Sequence, residues 1–585
     1  MKRHFFTFFL CFSLISCLSA SALPVYAESS DSVGKIHFAE DYQEIYEILK
    51  EVSYDLPVDY IIEDSYVEED IAAEFARDTG VSSEADYSET NIREAGVDEA
   101  DIFKTDGNFL YIVKEQTIIS IVDIRSAEMN PVSSIDLASD SVLQNIRIEE
   151  FFLNGDTLTV LATFTESGEW YGEYSTCAVV YDISSREQPL LLRIITQDGE
   201  YESSRMKDGM LYLFSTWYPD VEGTYEDSRL VPSVNDQEIP ADHVCLPSYV
   251  NDAAYLIVSS MDTLSPEQDI LDTKVIVSSP DSLYVSTNNI YTLNEDYRNY
   301  RERTEIVKFH YENGEISGIG TANIRGYVND SFSIDEYDGY LRVLTTYAST
   351  DIVDILDSVF GDSVSYSSIK NSLVIFDENM NKAGGIGGLA RDQEIKSARF
   401  MGDTAYFVTF EQTDPLYSVD LSTPTEPKIL GALHIPGFSS YLHSFGENRL
   451  LGLGYNADDN TGWTTGLKLS IYDTADKKDV QESDRFILPG ITYCEAFDNY
   501  KAIFADSKKM LTGFYCDQHY FLFHYDENTG FERVLLYDLY EDMLNDRDKT
   551  GRILYAQDTL YLSDGSYIVS FDMNSGFAKK EVLIL

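Results

Sequence analysis

Residues 397–433 read SARFMGDTAYFVTFEQTDPLYSVDLSTPTEPKILGAL, and this stretch decides the fold. Two alternating apolar runs flank a Met-Gly-Asp turn, a third run ends at Asp420, and a fourth begins at Lys428 after a turn that contains proline. Four short runs separated by turn residues predict one four-stranded antiparallel sheet. We expect Asp420 to cap the turn that follows it, because Asp side chains accept hydrogen bonds from nearby backbone N–H groups.

The same unit recurs along the chain. Nine apolar runs end in an acidic residue before a turn, at spacings of 43 to 80 residues that are mostly near 50. These marker residues are Asp123, Asp182, Asp262, Glu312, Asp377, Asp420, Asp473, Asp526 and Asp572. A repeated unit of strands and turns predicts an all-β protein built as a single large β-propeller.

The nine units exceed the usual blade number, and the third and eighth are the least regular. We therefore expect about eight four-stranded blades, with seven to nine allowed. Because open sheet edges invite aggregation, we expect the ring to close by pairing N-terminal repeat strands with C-terminal ones.

The N-terminus has the pattern of a secretory signal peptide. Lys2 and Arg3 precede an apolar stretch, and small residues at Val25 and Ala27 predict cleavage after residue 27. Cys17 gives an alternative cleavage point that would leave a lipid anchor. Both patterns predict a secreted or cell-surface protein, and no later segment is long and apolar enough to span a membrane.

A short helical segment is predicted between the signal peptide and the propeller. Residues 28–86 form this N-terminal helical and linker segment, and residues 87–585 form the propeller domain. Within the segment, residues 28–38 are predicted as a polar tether, apolar spacing predicts a helix over 39–52, and a second short helix is predicted over 68–78.

The charge of the chain excludes one class of partner. The sequence holds 101 acidic and 42 basic residues, a net charge of −59. This charge repels nucleic acid and anionic membranes. It is typical of a protein kept soluble at the cell surface or in a salty medium, and it also allows cation binding or attraction of a basic partner.

Residues 90–111 read TNIREAGVDEADIFKTDGNFLY and carry a family resemblance. The string resembles the T-N-x-Q-x-x-G-V-D-E-A-D-x-x-K-T-D-G-x-x-x-Y signature of bacterial and archaeal secreted proteins with a C-terminal β-propeller distantly related to WD-40 repeats. Arg93 stands where that family usually has Gln. Residues 283–291, 435–443 and 446–454 are also similar to the family. The resemblance implies the fold and export, and it implies no activity.

Seven further residues are candidates for disulfide or calcium sites. Four cysteines follow the signal peptide and allow zero to two disulfides; Cys494 and Cys516 share one unit and are the better pair, and Cys177 and Cys245 lie in neighbouring units. Asp546, Asp548 and Thr550 resemble half of a calcium loop, or form a solvated turn. Calcium is the one cofactor considered.

The remaining candidates for binding are acids, aromatic residues and a histidine. Asp98, Glu99 and Asp101 could contribute oxygen ligands to a cation, or they could cap turns and pair with Arg93 and Lys104. The insertion 217–250 is longer than a typical blade loop and holds Trp217, Tyr218 and Tyr225, either as binding residues or as cover for a blade edge. His443 could be a base or ligand, but a histidine among aromatic residues is more often a core residue.

No catalytic motif is present in the sequence. We therefore predict an exported, non-catalytic binding or scaffold protein, monomeric, with an extracellular protein or a cell-surface glycan as its partner. The channel mouth and the insertion 217–250 are the expected binding regions. The alternative is an extracellular hydrolase of polysaccharide or peptide with paired carboxylates on the top face of the propeller.

Overall fold

Nine sheets follow one another along the part of the chain that the structure describes, six of them four-stranded and three extended to five or six strands. The computed structural model describes residues 33–55, 86–88, 91–126, 128–139, 145–165, 174–221, 223–265, 267–296, 303–349, 368–410, 414–458, 463–497, 499–539 and 551–585. Each of the nine sheets contains four strands in sequence order, as the blades of a propeller do. The predicted all-β propeller is confirmed, with nine blades at the upper end of the predicted range.

The N-terminal segment and the first three blades contain the following elements. Before the blades come β1 (Val33–Gly34), β2 (His37–Phe38) and helix α1 (Tyr42–Asp55). Blade 1 contains β3 (Phe103–Thr105), β4 (Phe109–Lys114), β5 (Ile118–Asp123) and β6 (Asn130–Asp136). Blade 2 contains β7 (Arg147–Asn154), β8 (Thr157–Thr165), β9 (Tyr174–Asp182) and β10 (Leu190–Asp198). Blade 3 contains β11 (Glu200–Lys207), β12 (Met210–Trp217), β16 (Tyr255–Asp262) and β17 (Asp272–Ile276), and its insertion adds β13 (Ser233–Val234), β14 (Gln237–Glu238) and β15 (Val244–Leu246).

The other six blades are regular. Blade 4 contains β18 (Ser282–Val285), β19 (Asn289–Asp296), β20 (Arg303–Glu312) and β21 (Glu315–Arg325). Blade 5 contains β22 (Ile334–Tyr337), β23 (Tyr340–Ser349), β24 (Ser368–Phe376) and β25 (Lys382–Leu389). Blade 6 contains β26 (Glu394–Met401), β27 (Thr404–Phe410), β28 (Asp414–Asp420) and β29 (Lys428–Ile435). Blade 7 contains β30 (Phe438–Ser444), β31 (Arg449–Ala457), β32 (Thr464–Asp473) and β33 (Gln481–Pro489). Blade 8 contains β34 (Phe504–Asp506), β35 (Leu511–Cys516), β36 (His519–Asp526) and β37 (Gly530–Asp538). Blade 9 contains β38 (Arg552–Ala556), β39 (Thr559–Ser563), β40 (Tyr567–Asp572) and β41 (Ala578–Ile584).

The hydrophobic core is divided among the interfaces between blades. Successive side chains of a strand point to opposite faces of its sheet. In β8, Leu158 and Val160 therefore pack toward blade 1, whereas Leu161 packs toward blade 3. Among the described residues this alternation gives nine hydrophobic clusters, one for each pair of neighbouring blades.

The ring closes without a sheet shared between the chain ends. The expected pairing of N-terminal repeat strands with C-terminal ones is wrong, because blades 1 and 9 each consist of four consecutive strands. Closure instead comes from packing of side chains, such as Leu110 and Ile568, in the core between these blades. One backbone bridge, between Tyr87 and Ala556, adds to it.

The N-terminal segment packs against blades 2 to 4. The predicted helix is confirmed as α1, whose Ile45 and Leu49 are fully buried in the core between blades 2 and 3. Residues 33–38 are not a tether, because β1 extends blade 4 beside β21 and β2 pairs with β15. The predicted signal peptide with Cys17, and the second helix over 68–78, lie outside the described residues. Among the described residues, no helix combines the length and apolar character that crossing a bilayer requires.

The connections of the blades lie on two opposite faces. In an up-and-down sheet, the turns after the first and third strands share one face, here called the turn face. The connections after the second strand, and those between blades, share the other, here called the loop face. The marker residues therefore all lie on the turn face, and the insertion 217–250 starts and ends on the loop face.

The marker residues cap their turns as predicted. Eight of the nine accept a hydrogen bond from the backbone N–H two residues later, at 2.8–3.0 Å. The ninth, Glu312, precedes Asn313 and Gly314, which both have positive φ. Such a two-residue hairpin turn closes without a side-chain cap.

Candidate functional site in the channel and on the loop face

The predicted acidic cluster lies inside the ring of blades. Residues 91–101, here called the channel segment, pair with the first strands of two blades. The Asp98 N–H donates to the Met206 carbonyl of β11 at 2.7 Å, and the Asp101 N–H donates to the Phe151 carbonyl of β7 at 3.2 Å. Met206 and Phe151 each return a backbone hydrogen bond. The channel segment therefore runs along the inner edges of blades 2 and 3.

The same segment also contacts the next two blades of the ring, blades 4 and 5. The Arg93 guanidinium lies 3.9 Å from the ring centre of Tyr284 in β18 and donates to the carbonyl of Ile334 in β22. The Tyr284 hydroxyl donates to Glu94 at 2.9 Å. Since one short segment contacts the first strands of blades 2 to 5, these strands line a central channel and the segment fills it.

Glu99 is the most buried acid of the channel segment. Its side chain is 1% exposed, accepts a hydrogen bond from the Tyr500 hydroxyl, and accepts another from the Arg93 N–H at 3.1 Å. Burial, opposed in part by the Lys501 charge and the Tyr500 hydrogen bond, raises the pKa of Glu99 to about 7. Glu99 thus links the channel segment to the connection between blades 7 and 8.

The other two acids of the cluster have cationic partners. The Lys104 ammonium lies 3.3 Å from Asp98 and donates to the Glu99 carbonyl at 2.6 Å. The buried Arg552 guanidinium lies 3.6 Å from Asp101 and 2.9 Å from Glu495. The acids are thus engaged in contacts within the protein. Among the described residues, no group of three or more acids, histidines or cysteines has the geometry to hold a metal ion.

A second, partly buried carboxylate lies next to Glu99. Glu150 on β7 pairs with Lys501 and accepts a hydrogen bond from the Tyr201 hydroxyl at 3.1 Å. Burial raises the pKa of Glu150, and the Lys501 charge opposes this shift. Glu99 and Glu150 interact electrostatically, as paired catalytic carboxylates do, but both are bonded to residues of the protein.

The larger of two described cavities lies away from this centre. It measures about 240 Å³ and sits on the seam between blades 1 and 9, where Arg125, Glu128 and Lys580 line it. A smaller cavity of about 20 Å³ adjoins Arg93 and Arg399 in the ring interior. Neither cavity is lined by Glu99 or Glu150.

Exposed aromatic side chains concentrate on the loop face. Among the described residues, six aromatic side chains are exposed, and five of these belong to loop-face connections or to strand ends beside them: Tyr174, Tyr218, Tyr225, Trp463 and Tyr493. The sixth, Tyr337, lies on the turn face. Trp463 and Tyr493 are 77% and 58% exposed. Trp463 directly precedes β32 and Tyr493 follows β33, and since these strands pair antiparallel, both rings lie at the loop-face end of blade 7.

A family model for a β-propeller domain matches residues 87–576. The chain belongs to this β-propeller domain family. An uncharacterized protein of Methanocaldococcus jannaschii is 25% identical over 582 residues, covering 85% of this chain and 83% of the relative. An uncharacterized protein of Archaeoglobus fulgidus is 26% identical over 556 residues, covering 84% of this chain and 83% of the relative.

Two solved structures match this chain with lower sequence identity. Kluyveromyces lactis Hsv2 has a TM-score of 0.29 and 10% identity, covering 67% of this chain and 99% of its own. Saccharomyces cerevisiae Sqt1 has a TM-score of 0.29 and 9% identity, covering 74% of this chain and 83% of its own.

The three aromatic residues predicted for binding differ in their access to a ligand. Trp217 is the last residue of β12 and only 7% exposed; it packs against Tyr255 and under the Arg229 guanidinium. Its ring belongs to the core of the β-propeller domain, and little of it is accessible to a ligand. Tyr218, the next residue, is 67% exposed, and Tyr225 packs edge-on against Tyr46 of α1.

His443 is a core residue of the β-propeller domain. It is 5% exposed on β30, and its Nδ1 lies 3.1 Å from the Tyr441 hydroxyl. Burial, reinforced by the Arg399 charge, lowers the pKa of His443 to about 3. The imidazole is therefore neutral near pH 7 and has little capacity to act as a general base or acid there.

All four described cysteines are free and buried. Pairing of Cys177 with Cys245 is wrong, because Cys177 lies in the core between blades 1 and 2 and Cys245 in the core between blades 3 and 4. Cys494 and Cys516, in contrast, share the core between blades 7 and 8. The calcium candidates Asp546, Asp548 and Thr550 lie outside the described residues.

The residues that hold the channel segment were not found from the sequence. Tyr500, Lys501 and Arg552 contact Glu99, Glu150 and Asp101 across several hundred residues of chain. None of the three belongs to a motif. A periodic pattern reports the strands of a blade, and it carries no information on which loop reaches the centre of the ring.

Proposed function

We propose that the protein is an exported, non-catalytic binding scaffold that acts outside the cell or at its surface and receives its partner on the loop face. The observation that supports this most is the one-sided distribution of exposed aromatic residues, five on the loop face against one on the turn face. Tyr and Trp are enriched at recognition surfaces because they offer a large apolar area together with a polar group.

The partner is an extracellular protein or a cell-surface glycan. Aromatic rings serve both classes, and the net charge of −59 opposes binding of nucleic acid. The β-propeller acts as a monomer in this proposal. Its nine interblade cores bury the faces between the blades, so the loops are the parts of the ring that remain for recognition. Long loops on a rigid scaffold are the usual place for such contacts.

Substitutions on the two faces test the binding site. We would apply the protein without its first 27 residues to a glycan array and to an array of purified surface proteins, and compare it with a variant carrying Trp463→Ala and Tyr493→Ala. The matched control is Tyr337→Ala on the turn face. A ligand lost by the loop-face variant and kept by the control supports the proposal. Ligands kept by the loop-face variant and lost by the control would contradict it.

Export is tested by the N-terminus of the protein isolated from its cell. Cleavage after Ala27 predicts a mature chain that begins at Glu28, released or held at the surface. Cleavage before Cys17 would give a lipid-modified N-terminus and a membrane-tethered protein. A protein that retains Met1 and stays inside the cell would overturn the export part of the proposal.

The proposal requires no cofactor. We expect the melting midpoint to be the same with calcium and with a chelator, because the acids of the channel segment are bonded to Lys104, Tyr500 and Arg552. A ligand that binds only the folded state raises the midpoint. A lower midpoint in chelator would therefore make the sequence around Asp546 the first place to look for calcium.

The alternative function, an extracellular hydrolase, has less support. A hydrolase needs two carboxylates that a substrate can reach. Glu99 and Glu150 are near each other, but Tyr500 and Lys501 occupy them. Turnover in a broad screen of polysaccharides and peptides, abolished by Glu150→Gln, would replace the binding proposal with this one.

A further inference from the structure

Two cysteines meet in the core between blades 7 and 8. Cys494 lies in the loop-face connection between β33 and β34, and Cys516 is the last residue of β35. Both are buried, at 0% and 2% exposed. The Cys494 thiol donates to the carbonyl of Tyr515, the residue directly before Cys516, at 3.5 Å. Both thiols also belong to the same hydrophobic core. The two cysteines are therefore neighbours in this core.

The connection that contains Cys494 is bonded to the channel segment, because its Tyr500 donates a hydrogen bond to Glu99. Residues 490–497 and 499–503, here called the clamp loop, contain the partners of three charged groups that are buried or partly buried. Glu495 pairs with Arg552, Tyr500 donates to Glu99, and Lys501 pairs with Glu150. A bond at Cys494 would fix the start of this loop onto β35 of blade 8.

We propose that Cys494 and Cys516 form a disulfide in the exported protein and that this disulfide fastens the clamp loop to blade 8. The reaction is thiol–disulfide exchange with a low-molecular-weight disulfide or a disulfide oxidoreductase. One thiolate attacks the external disulfide and displaces a first thiol. The second thiolate then attacks the mixed disulfide and displaces a second thiol. Two protein thiols are oxidised, one external disulfide is reduced, and the two protons leave with the released thiols.

The disulfide forms while the clamp loop is open. Exchange needs a thiolate, and burial together with the neighbouring Cys516 thiol raises the pKa of Cys494 well above its usual value in the folded chain. The closed core also excludes an external disulfide from both sulfur atoms. Oxidation therefore accompanies folding in an oxidising compartment. The protein reaches such a compartment only if it is exported, so in the cell this inference rests on the proposed function.

The other two cysteines provide a control within the same chain. Cys177 and Cys245 are as deeply buried, but each lies in a different interblade core without a second cysteine. Burial raises their thiol pKa as well. A pairing set by geometry therefore joins Cys494 to Cys516 and leaves these two as thiols, whereas random oxidation would involve all four.

The test is peptide mapping of protein refolded with oxidised glutathione. The chain is denatured without reductant, alkylated and digested. We expect one cross-linked peptide pair joining Cys494 to Cys516, with Cys177 and Cys245 alkylated. Four alkylated cysteines, or scrambled pairs, would overturn the inference. Because this experiment is done in vitro, its result does not depend on where the protein resides.

Thermal melting gives a second readout. A bond that closes a loop of this length restricts the unfolded chain, and we expect reduction to lower the melting midpoint by about 2 °C. The Cys177→Ala variant should keep this response, and a Cys494→Ala, Cys516→Ala double variant should lose it. Equal responses in both variants would contradict the assignment. If refolded protein pairs the cysteines and protein from the cell has free thiols, export fails and the pairing stands.

Discussion

The channel segment and the loop face use opposite chemistry. In the channel, Glu99 and Asp101 are charged groups taken out of water, and each has a partner from a distant part of the chain. On the loop face, Trp463 and Tyr493 are apolar groups left in water. Burying a charge is costly unless it is paired, and exposing a large ring has no benefit for folding. The first arrangement therefore serves the fold, and the second is a candidate for recognition.

The residues that stand out in the sequence are therefore not the residues that a ligand can reach. The acids of residues 90–111 are the densest motif in the sequence, but they fill the channel of a ring wider than one of fewer blades. Asp98, Asp101, Arg93 and Glu99 join blades 2, 3, 5 and the clamp loop. Substitution here should change stability first, and substitution on the loop face should change binding first.

Two adjacent residues at the end of β12, where the core meets the loop face, should differ most in their effect on the free energy of unfolding. Trp217→Ala removes a ring that is 7% exposed, and we expect a loss of about 3–5 kcal/mol in the free energy of unfolding. Tyr218→Ala removes a ring that is 67% exposed, and we expect a change within about 0.5 kcal/mol. Chemical denaturation measures both. Equal losses would show that the boundary between core and loop face is misplaced.

The pH dependence of stability isolates the channel. The pKa of Glu99 rises from 4.5 to about 7 on folding because of burial. The folded chain therefore binds the Glu99 proton more tightly than the unfolded chain does. The stability gained from this proton is complete below pH 4.5 and is lost as the pH rises through 7. The difference amounts to about 3 kcal/mol.

A Glu99→Gln variant, which has no charge to bury, should lack this contribution to the pH profile. We expect its stability relative to the native chain to increase from pH 5 to pH 8 in denaturation curves measured at each pH. Glu267→Gln, at an exposed position, is the control and should follow the native profile. Parallel profiles for all three proteins would mean that Glu99 titrates as an exposed carboxyl does.

Substitutions on the turn face should give the smallest change in stability. They add a third region to the comparison between the channel segment and the loop face. Asp420→Ala removes the cap from the Ser422 N–H, and we expect a loss of about 1 kcal/mol. Glu312→Ala should cost less, because Asn313 and Gly314 close that turn through their backbone. Melting curves of the two variants give the comparison. A larger loss at Glu312 would contradict the capping role of the markers.

The repeat made the blades and the caps predictable from the sequence. Each strand shows apolar alternation within a few residues, and each cap lies two residues from its N–H partner, so the evidence for both is local. Ring closure was mispredicted because the packing between Leu110 and Ile568 joins the two ends of the chain, and the repeat pattern does not show how those ends meet.

The candidate site was predictable only in part. The signature picks out Glu99 and Asp101, but their partners Tyr500 and Arg552 lie in an irregular loop and at the start of a strand. The separation of Trp217 from Tyr218 depends on where β12 ends, which an aromatic pair does not reveal. Neither does the strand itself, because β12 is buried on both faces and shows no alternation up to Trp217.

Hydrogen exchange of the channel segment tests the central claim most directly. The Asp98 and Asp101 N–H groups donate to Met206 and Phe151 in the ring interior, so we expect them to exchange only when the whole propeller unfolds. Amides beside Trp463 on the loop face should exchange much faster. If residues 91–101 exchange as fast as the loop face while β7 and β11 stay protected, the segment does not fill the channel, and its acids are available for a ligand after all.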